Sequence, residues 1–247
     1  MHVNYEFVLN CAATRPGKIL DYGCGGGEVV AEGLRRGLDI WGTDVFYAGG
    51  PAAHGAAEAT GLLNSRILHM EEGRIPFADD TFDFVFHNQV FEHVPDIDSV
   101  LSEIERVLRP HGVMLSLFPS KEVWREGHCG IILAHRLRSV AWLHLWRSLG
   151  LGKHHDSKPS DRWAKDFNQW LSDWCHYRDE LVIRQAYEAA GFTFSHREID
   201  YINFRLHFTK RARLVGLAQR FRPAAEYLYK RLGGMVLVST KSRPLDV

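Results

Sequence analysis

Residues 18–28 read Lys-Ile-Leu-Asp-Tyr-Gly-Cys-Gly-Gly-Gly-Glu, and an isolated acid, Asp44, closes the next apolar run. Glycines at Gly23, Gly25 and Gly27 let a backbone turn sharply and come close to a ligand. The helix that follows, expected over 26–36, opens with unpaired N–H groups that favour a carboxylate. Asp44, at the tip of a second strand, can accept hydrogen bonds from both hydroxyls of a ribose. A strand, a glycine turn, a helix and a strand ending in an acid form a unit that binds a nucleoside-bearing cofactor. The dinucleotide spacing G-x-G-x-x-G, started at Gly23, needs a glycine at position 28, where the chain has Glu28. The spacing present is Asp-x-Gly-x-Gly-x-Gly, with Asp21 as its acid.

That form resembles the first motif of the class I S-adenosylmethionine-dependent methyltransferases. Two later stretches extend the likeness: R-I-P-F-A-D-D-T-F-D-F-V-F-H-N-Q-V-F-E-H-V over 74–94 and L-S-E-I-E-R-V-L-R-P-H-G over 101–112. Both are similar to the methyltransferase type 11 branch, and the match spans about 18–118. The resemblance implies S-adenosyl-L-methionine as cofactor, with Asp21, Gly23, Gly25, Gly27, Asp44 and the adjoining Val45 around it. It puts Glu71 where the family has an acid on the adenine amino group, and Glu72 where a backbone N–H meets the ring. His87 and Asn88 fall where main-chain carbonyls hold the methionine amino group. The implied fold is α/β: a Rossmann-like, doubly wound, seven-stranded sheet, mostly parallel, with its last strand antiparallel.

If a sulfonium methyl is transferred, the cofactor supplies the electrophile and the protein aligns the acceptor with it. A hydroxyl acceptor also needs a base, and histidine titrates in a suitable range. His93, in Glu92-His93-Val94, follows the fourth strand; in related proteins this histidine often only packs beside the methionine moiety. His128, on a glycine-flanked turn after the fifth strand, is the sharper candidate, set against a plain role capping a helix that starts near Ile131. His135 is a weaker alternative. In the ubiquinone-biosynthesis O-methyltransferases a metal-binding version of the segment reads Glu-x-x-Glu-His. Here its first position is Gln89, a poorer ligand for a hard cation than a carboxylate, so no metal is assigned. Cys129 and Cys175 each adjoin a histidine, but neighbouring residues rarely both ligate one zinc ion.

Positioning these groups requires a helix within 1–16, strands over 38–43, 82–86 and 113–118, and helices over 52–63 and 97–108. Pro110-His111-Gly112 should turn the chain into the fifth strand. A helix over 179–190 ended by Gly191, a sixth strand over 192–201 and a seventh over 235–240 complete one domain across 1–247. Segments 119–178 and 203–233 exceed the minimal fold and leave from the carboxyl ends of strands, the edge where ligands bind in open α/β sheets. Both are expected to cap the methyl group. The first holds Trp124, Trp142, Trp146, Trp163, Trp170 and Trp174, with histidines that include His128, His135, His144, His154, His155 and His176. Such planes suit sugars or aromatic rings, although burial in an added helical core is the usual fate of a tryptophan.

The chain has 247 residues, 45% hydrophobic and 24% charged, an ordinary globular composition. Zero formal net charge gives no general pull toward nucleic acid. No apolar run approaches the roughly 18 residues of a membrane span, no signal peptide is read at the start, and four scattered cysteines make no disulfide framework. A cytoplasmic setting follows as the expectation. The sequence thus favours O- or N-methylation of a small molecule or saccharide unit. A second reading is a peripheral membrane enzyme acting on a lipid or lipid-linked glycan, suggested by Arg136, Arg138 and Arg147 among the apolar residues of 131–149 and by the basic second insertion. A cofactor-binding module without catalysis is a third.

Overall fold

The computed structural model describes residues 2–47, 52–153 and 156–241; His154 and His155 lie outside the described residues. In chain order, α1 (Val3–Ala13) leads to β1 (Ile19–Tyr22), α2 (Glu28–Arg35), β2 (Ile40–Asp44), α3 (Ala52–Ala59), β3 (Ile67–His69) and β4 (Phe82–Asn88). After α4 (Ile97–Val107) and β5 (Leu108–Phe118) come three helices of the first insertion, α5 (Ala134–Leu137), α6 (Val140–Ser148) and α7 (Ser160–Trp174). The chain returns through α8 (Glu180–Ala189) and β6 (Phe192–His196), then α9 (Glu198–Phe208), α10 (Val215–Arg220) and α11 (Arg222–Leu232), and ends on β7 (Met235–Lys241).

The sheet has the order β3-β2-β1-β4-β5-β7-β6. The first five strands run parallel, and β7 is antiparallel to both its neighbours. Strands covered on both faces should read as unbroken apolar runs, and all four residues of β1 are buried. One layer sets Ile97, Val100, Leu101, Ile104 and Val107 of α4, with Tyr187 of α8, against Leu20, Val85 and Met114. The opposite layer sets Val8 of α1 and Val30 of α2 against Ile19, Ile40 and Phe86. The spacing on α4 is that of a helix with one face on a sheet, and Asp96 caps its start by accepting from the N–H groups of Asp98 and Ser99.

The sequence expectations need three corrections of boundary. Pro110-His111-Gly112 does not precede β5 but lies within it: pairing with β4 runs Phe82↔Leu108, shifts, and resumes at Phe84↔Val113, with His111 at φ 68°. The three residues are a bulge that lets one long strand keep both ends paired. Next, 131–149 is not one helix, because Arg138 at φ 45° separates α5 from α6. Last, the sixth strand stops at His196 rather than 201, and α9 begins at Glu198.

The β6–α9 junction is held by charge. His196 Nε2 lies 3.0 Å from Glu180 Oε1, and its Nδ1 lies 3.0 Å from Oε1 of the fully buried Glu198. Hydrogen bonds from the ring to Glu180 and Glu198 raise its pKa to about 9. A histidine raised in the folded state stabilises fully below its unfolded value and ceases to do so as pH climbs through the folded one. His196→Ala is therefore expected to cost about 1–2 kcal/mol near pH 6, after discounting for solvent screening, and little near pH 10. Urea midpoints of both proteins at the two pH values check this; an equal loss at both would remove the ion pairs as its cause.

Candidate active site

A cavity of about 1030 Å³ opens at the carboxyl ends of β1, β2 and β4, at the top of the roughly 300–1,000 Å³ usual for small-molecule sites. One end is the glycine turn and the tip of β2: Gly23, Gly25, Asp44 and Val45. The other is walled by Tyr47, His93, Trp174 and His176, the last two from the end of the first insertion. The volume suffices for two ligands side by side.

The glycine turn is shaped by β2. Gly23 and Cys24 donate their N–H groups to the Thr43 carbonyl, 2.8 and 3.1 Å away, which folds the turn over the strand tip. A Cβ on Gly23 would meet Val90 Cγ2 at 2.5 Å, whereas one on Gly25 would meet nothing within 4 Å. Gly25 therefore keeps the cavity floor open, and its φ of 52° is one an L side chain rarely adopts. Its N–H donates to Asp44 Oδ2 at 2.8 Å, and Phe46 N–H donates to Asp44 Oδ1 at 2.7 Å. Each carboxylate oxygen retains acceptor capacity toward the cavity. Asp21 is buried at the end of β1; burial, then the charges of Asp44 and Glu28, push its carboxyl well above the usual range. Three acids around one turn make it receptive to a cation.

At the far wall, His93 Nδ1 lies 2.7 Å from the Trp174 carbonyl oxygen. A carbonyl only accepts, so Nδ1 carries the proton and Nε2 the lone pair. Burial is the main reason its pKa falls to about 4, so the ring is neutral at physiological pH. The His128 ring centre is 5.0 Å away. His128 Nδ1 lies 2.6 Å from Glu126 Oε1, which also accepts from Tyr177 O–H at 2.8 Å, while Cys129 N–H donates to Glu126 Oε2 at 2.7 Å. Burial opposes the charge on Glu126, but the hydrogen bonds and charge of His128 and the Cys129 N–H bring its pKa to about 2. Burial likewise opposes a charged His128, and Glu126 outweighs it, so the His128 pKa is raised. A neutral imidazole on the wall is thus backed by a histidine–carboxylate pair in which Glu126 favours the charged ring.

The segment leaving the insertion is bolted to the turn that carries His93. His176 N–H donates to the Glu92 carbonyl at 2.6 Å, and the Arg178 guanidinium donates to the carbonyls of Phe91, Val94, Pro95 and His176. Glu92 itself is buried, and burial lifts its carboxyl to about 8, leaving it neutral at physiological pH.

Residues 20–116 match the family described as "Methyltransferase domain". The ubiquinone biosynthesis O-methyltransferase of Mesorhizobium japonicum is 34% identical over 98 residues, 39% of this chain and 39% of that protein. Methyltransferase GfsG of Streptomyces halstedii is 34% identical over 97 residues, 38% of this chain and 35% of its own. The matches therefore span about two fifths of those relatives. The fold is shared much more widely. The S-adenosylmethionine-dependent methyltransferase structure from Mesorhizobium loti superposes with a TM-score of 0.56 at 15% identity, over 97% of this chain and all of that one. Residues 20–116 are thus a methyltransferase domain, and the chain has the fold of the S-adenosylmethionine-dependent methyltransferases. Haemonchus contortus phosphoethanolamine N-methyltransferase 2, in complex with S-adenosyl-L-methionine, has the same fold at a TM-score of 0.52 and 15% identity, over 98% of this chain and 52% of that one.

The residues around the cavity fit that cofactor. Asp44 suits the ribose hydroxyls, and the acids at the turn suit a molecule that carries an ammonium and a sulfonium. Among the residues expected at the cofactor, Gly23, Gly25, Asp44, Val45 and Glu72 line the cavity. The others stand behind the wall or away from it. Gly27, at φ 80°, starts α2 and packs on Ile67. Glu71 is exposed, with its backbone bridged to Arg74, while Asn88 accepts a side-chain hydrogen bond from Asn4. His87 is buried in the core, 3.6 Å ring to ring from Phe91; burial lowers its pKa to about 3, and neither ring nitrogen has a hydrogen-bond partner. His128 does not line the cavity and reaches it only through His93.

The helix expected near Ile131 begins at Ala134 with Leu133 at its N-cap position, so His128 does not cap it. His135 Nε2 is bonded to the Lys121 carbonyl. Among the described residues no group of three or more His, Cys, Asp or Glu side chains could hold a metal ion. Tryptophans 142, 146, 163 and 170 pack in the core of the first insertion, and only Trp174 of the six reaches the cavity. The second insertion supplies none of its lining, which corrects the expectation of a two-part cap. Tyr47, Glu126, Tyr177 and Arg178 escaped the sequence reading. The Glu126-x-His128 spacing was visible, but nothing local announced that the carboxylate would be buried.

Proposed function

We propose that the protein transfers a methyl group from S-adenosylmethionine to an oxygen or nitrogen of a small molecule or saccharide unit, with a hydroxyl on an aromatic or sugar ring as the best fit. The carrying observation is one cavity that joins the Asp44 turn to a wall of Tyr47, His93 and Trp174. When bound, the cofactor supplies an electrophilic methyl. Flat side chains at the far wall suit a ring, and, half-buried, they cover the acceptor from part of the solvent.

His93, with its lone pair on Nε2, takes the proton of the hydroxyl. A base with a pKa near 4 is weak, which favours a proton that is itself acidic, as on a phenol. His128, whose charged form Glu126 favours, stands behind His93, from where its positive charge favours the negative charge that grows on the acceptor oxygen and disfavours an ammonium there. The ubiquinone biosynthesis O-methyltransferase name among the relatives agrees with this chemistry. Purified protein incubated with methyl-labelled S-adenosylmethionine and a cell extract should move label into an alkali-stable product that a Tyr47→Ala, Trp174→Ala double variant makes poorly. Label lost from the product on brief mild alkaline hydrolysis would point to an ester instead, and no transfer above a cofactor-binding mutant would defeat the proposal.

A further inference from the structure

From the 3₁₀ turn Ala212–Leu214 through α10 and α11, no residue is buried. Helices normally bury an apolar stripe, yet here Leu217 is 56%, Phe221 54% and Leu232 64% exposed, beside exposed Leu214, Tyr227 and Leu228. Leu214, Leu217 and Phe221 recur at three and four residues, the spacing of one helical face. Residues 210–232 also carry Lys210, Arg211, Arg213, Arg220, Arg222, Lys230 and Arg231 against the single acid Glu226, which Arg222 already pairs. Arg211 and Arg213 flank the apolar face from the turn before α10, and Arg220 follows it.

We infer that this hairpin is a docking surface for an anionic phospholipid bilayer, into which Leu214, Leu217 and Phe221 insert while the arginines meet the headgroups. Lys230 pairs with Glu180, which leaves the excess positive charge at Arg211, Arg213 and Arg220 beside the apolar face. Exposed apolar side chains next to such cations are the make-up of an interfacial amphipathic element. A second copy of the chain, joined face to face, would bring like charges together. A nucleic acid would answer the cations and leave the leucines in water. No helix among the described residues is long and apolar enough to cross a membrane, so the contact is peripheral.

The test sediments the 247-residue chain with phosphatidylcholine vesicles, with and without phosphatidylglycerol, at low and high salt. Binding is expected only to the anionic vesicles and should weaken with salt. Arg211→Gln with Arg213→Gln should weaken it about 30-fold, since each basic residue near the surface contributes about fivefold. Leu217→Ser with Phe221→Ser should lower it at least roughly tenfold, as two apolar side chains no longer leave water. Both pairs are exposed, so unchanged thermal midpoints verify the fold. Failure of the unaltered chain to sediment overturns the inference. So does binding that Leu217→Ser with Phe221→Ser leaves intact, or retention on RNA without partition onto vesicles.

Discussion

Asp44→Asn is expected to weaken S-adenosylmethionine binding by roughly 100-fold, the scale of two charge-assisted hydrogen bonds lost from a partly buried carboxylate. Its two oxygens already hold Gly25 N–H and Phe46 N–H at 2.8 and 2.7 Å, and the ribose hydroxyls would take their remaining lone pairs. Asparagine fits the same space but turns one acceptor into a donor facing an N–H. The turn should therefore open as well as lose charge. Calorimetric titration of both proteins with S-adenosylmethionine measures this without any acceptor substrate. A dissociation constant within about threefold of the parent would mean that the nucleoside sits elsewhere in the cavity.

His93→Gln should lower kcat by roughly 10²–10⁴-fold, the usual contribution of a general base. KM for the acceptor should change little. Glutamine can still donate to the Trp174 carbonyl, so the wall stays in place and only the lone pair goes. The pH profile carries the sharper test. The neutral form of His93 fills as pH rises through about 4, so kcat/KM should climb there and then level. It should fall again as His128 loses the proton that Glu126 holds on it, on the alkaline side of an ordinary histidine. Glu126→Gln removes the charge that raises His128 and should move that alkaline limb to lower pH. If His93→Gln retains the acid limb, the proton is taken by another group.

Motifs that fold on their own neighbours were readable in the sequence, and contacts made across the chain were not. The glycine turn, Asp44 and α4 follow from residues within about one element of one another, so spacing alone locates them. The end of β6 also had a local signal. Continued as a strand past His196, the chain would place Glu198 and Asp200 on the same face as Phe192 and Phe194, two acids on an apolar face. As a first helical turn those acids meet the positive end of α9 instead. The Glu126 carboxylate is different, because Tyr177 reaches it from 51 residues away. His93 depends on Trp174, 81 residues on. The second insertion misled because its departure from the carboxyl end of a strand invited a role over the cavity; with no residue of Ala212–Leu232 buried, its composition was the better guide.

The bond from His93 Nδ1 to the Trp174 carbonyl has a consequence for how this site can be watched. A carbonyl delivered by the last residue of α7 selects which nitrogen of the imidazole is protonated. While the insertion is seated, one tautomer dominates; were it to lift, the freed imidazole would revert to a mixture. The ring is thus a gauge of the insertion's position, built into the reacting group itself. Nitrogen chemical shifts of His93 would read seated and lifted populations directly, in the same molecule that turns over.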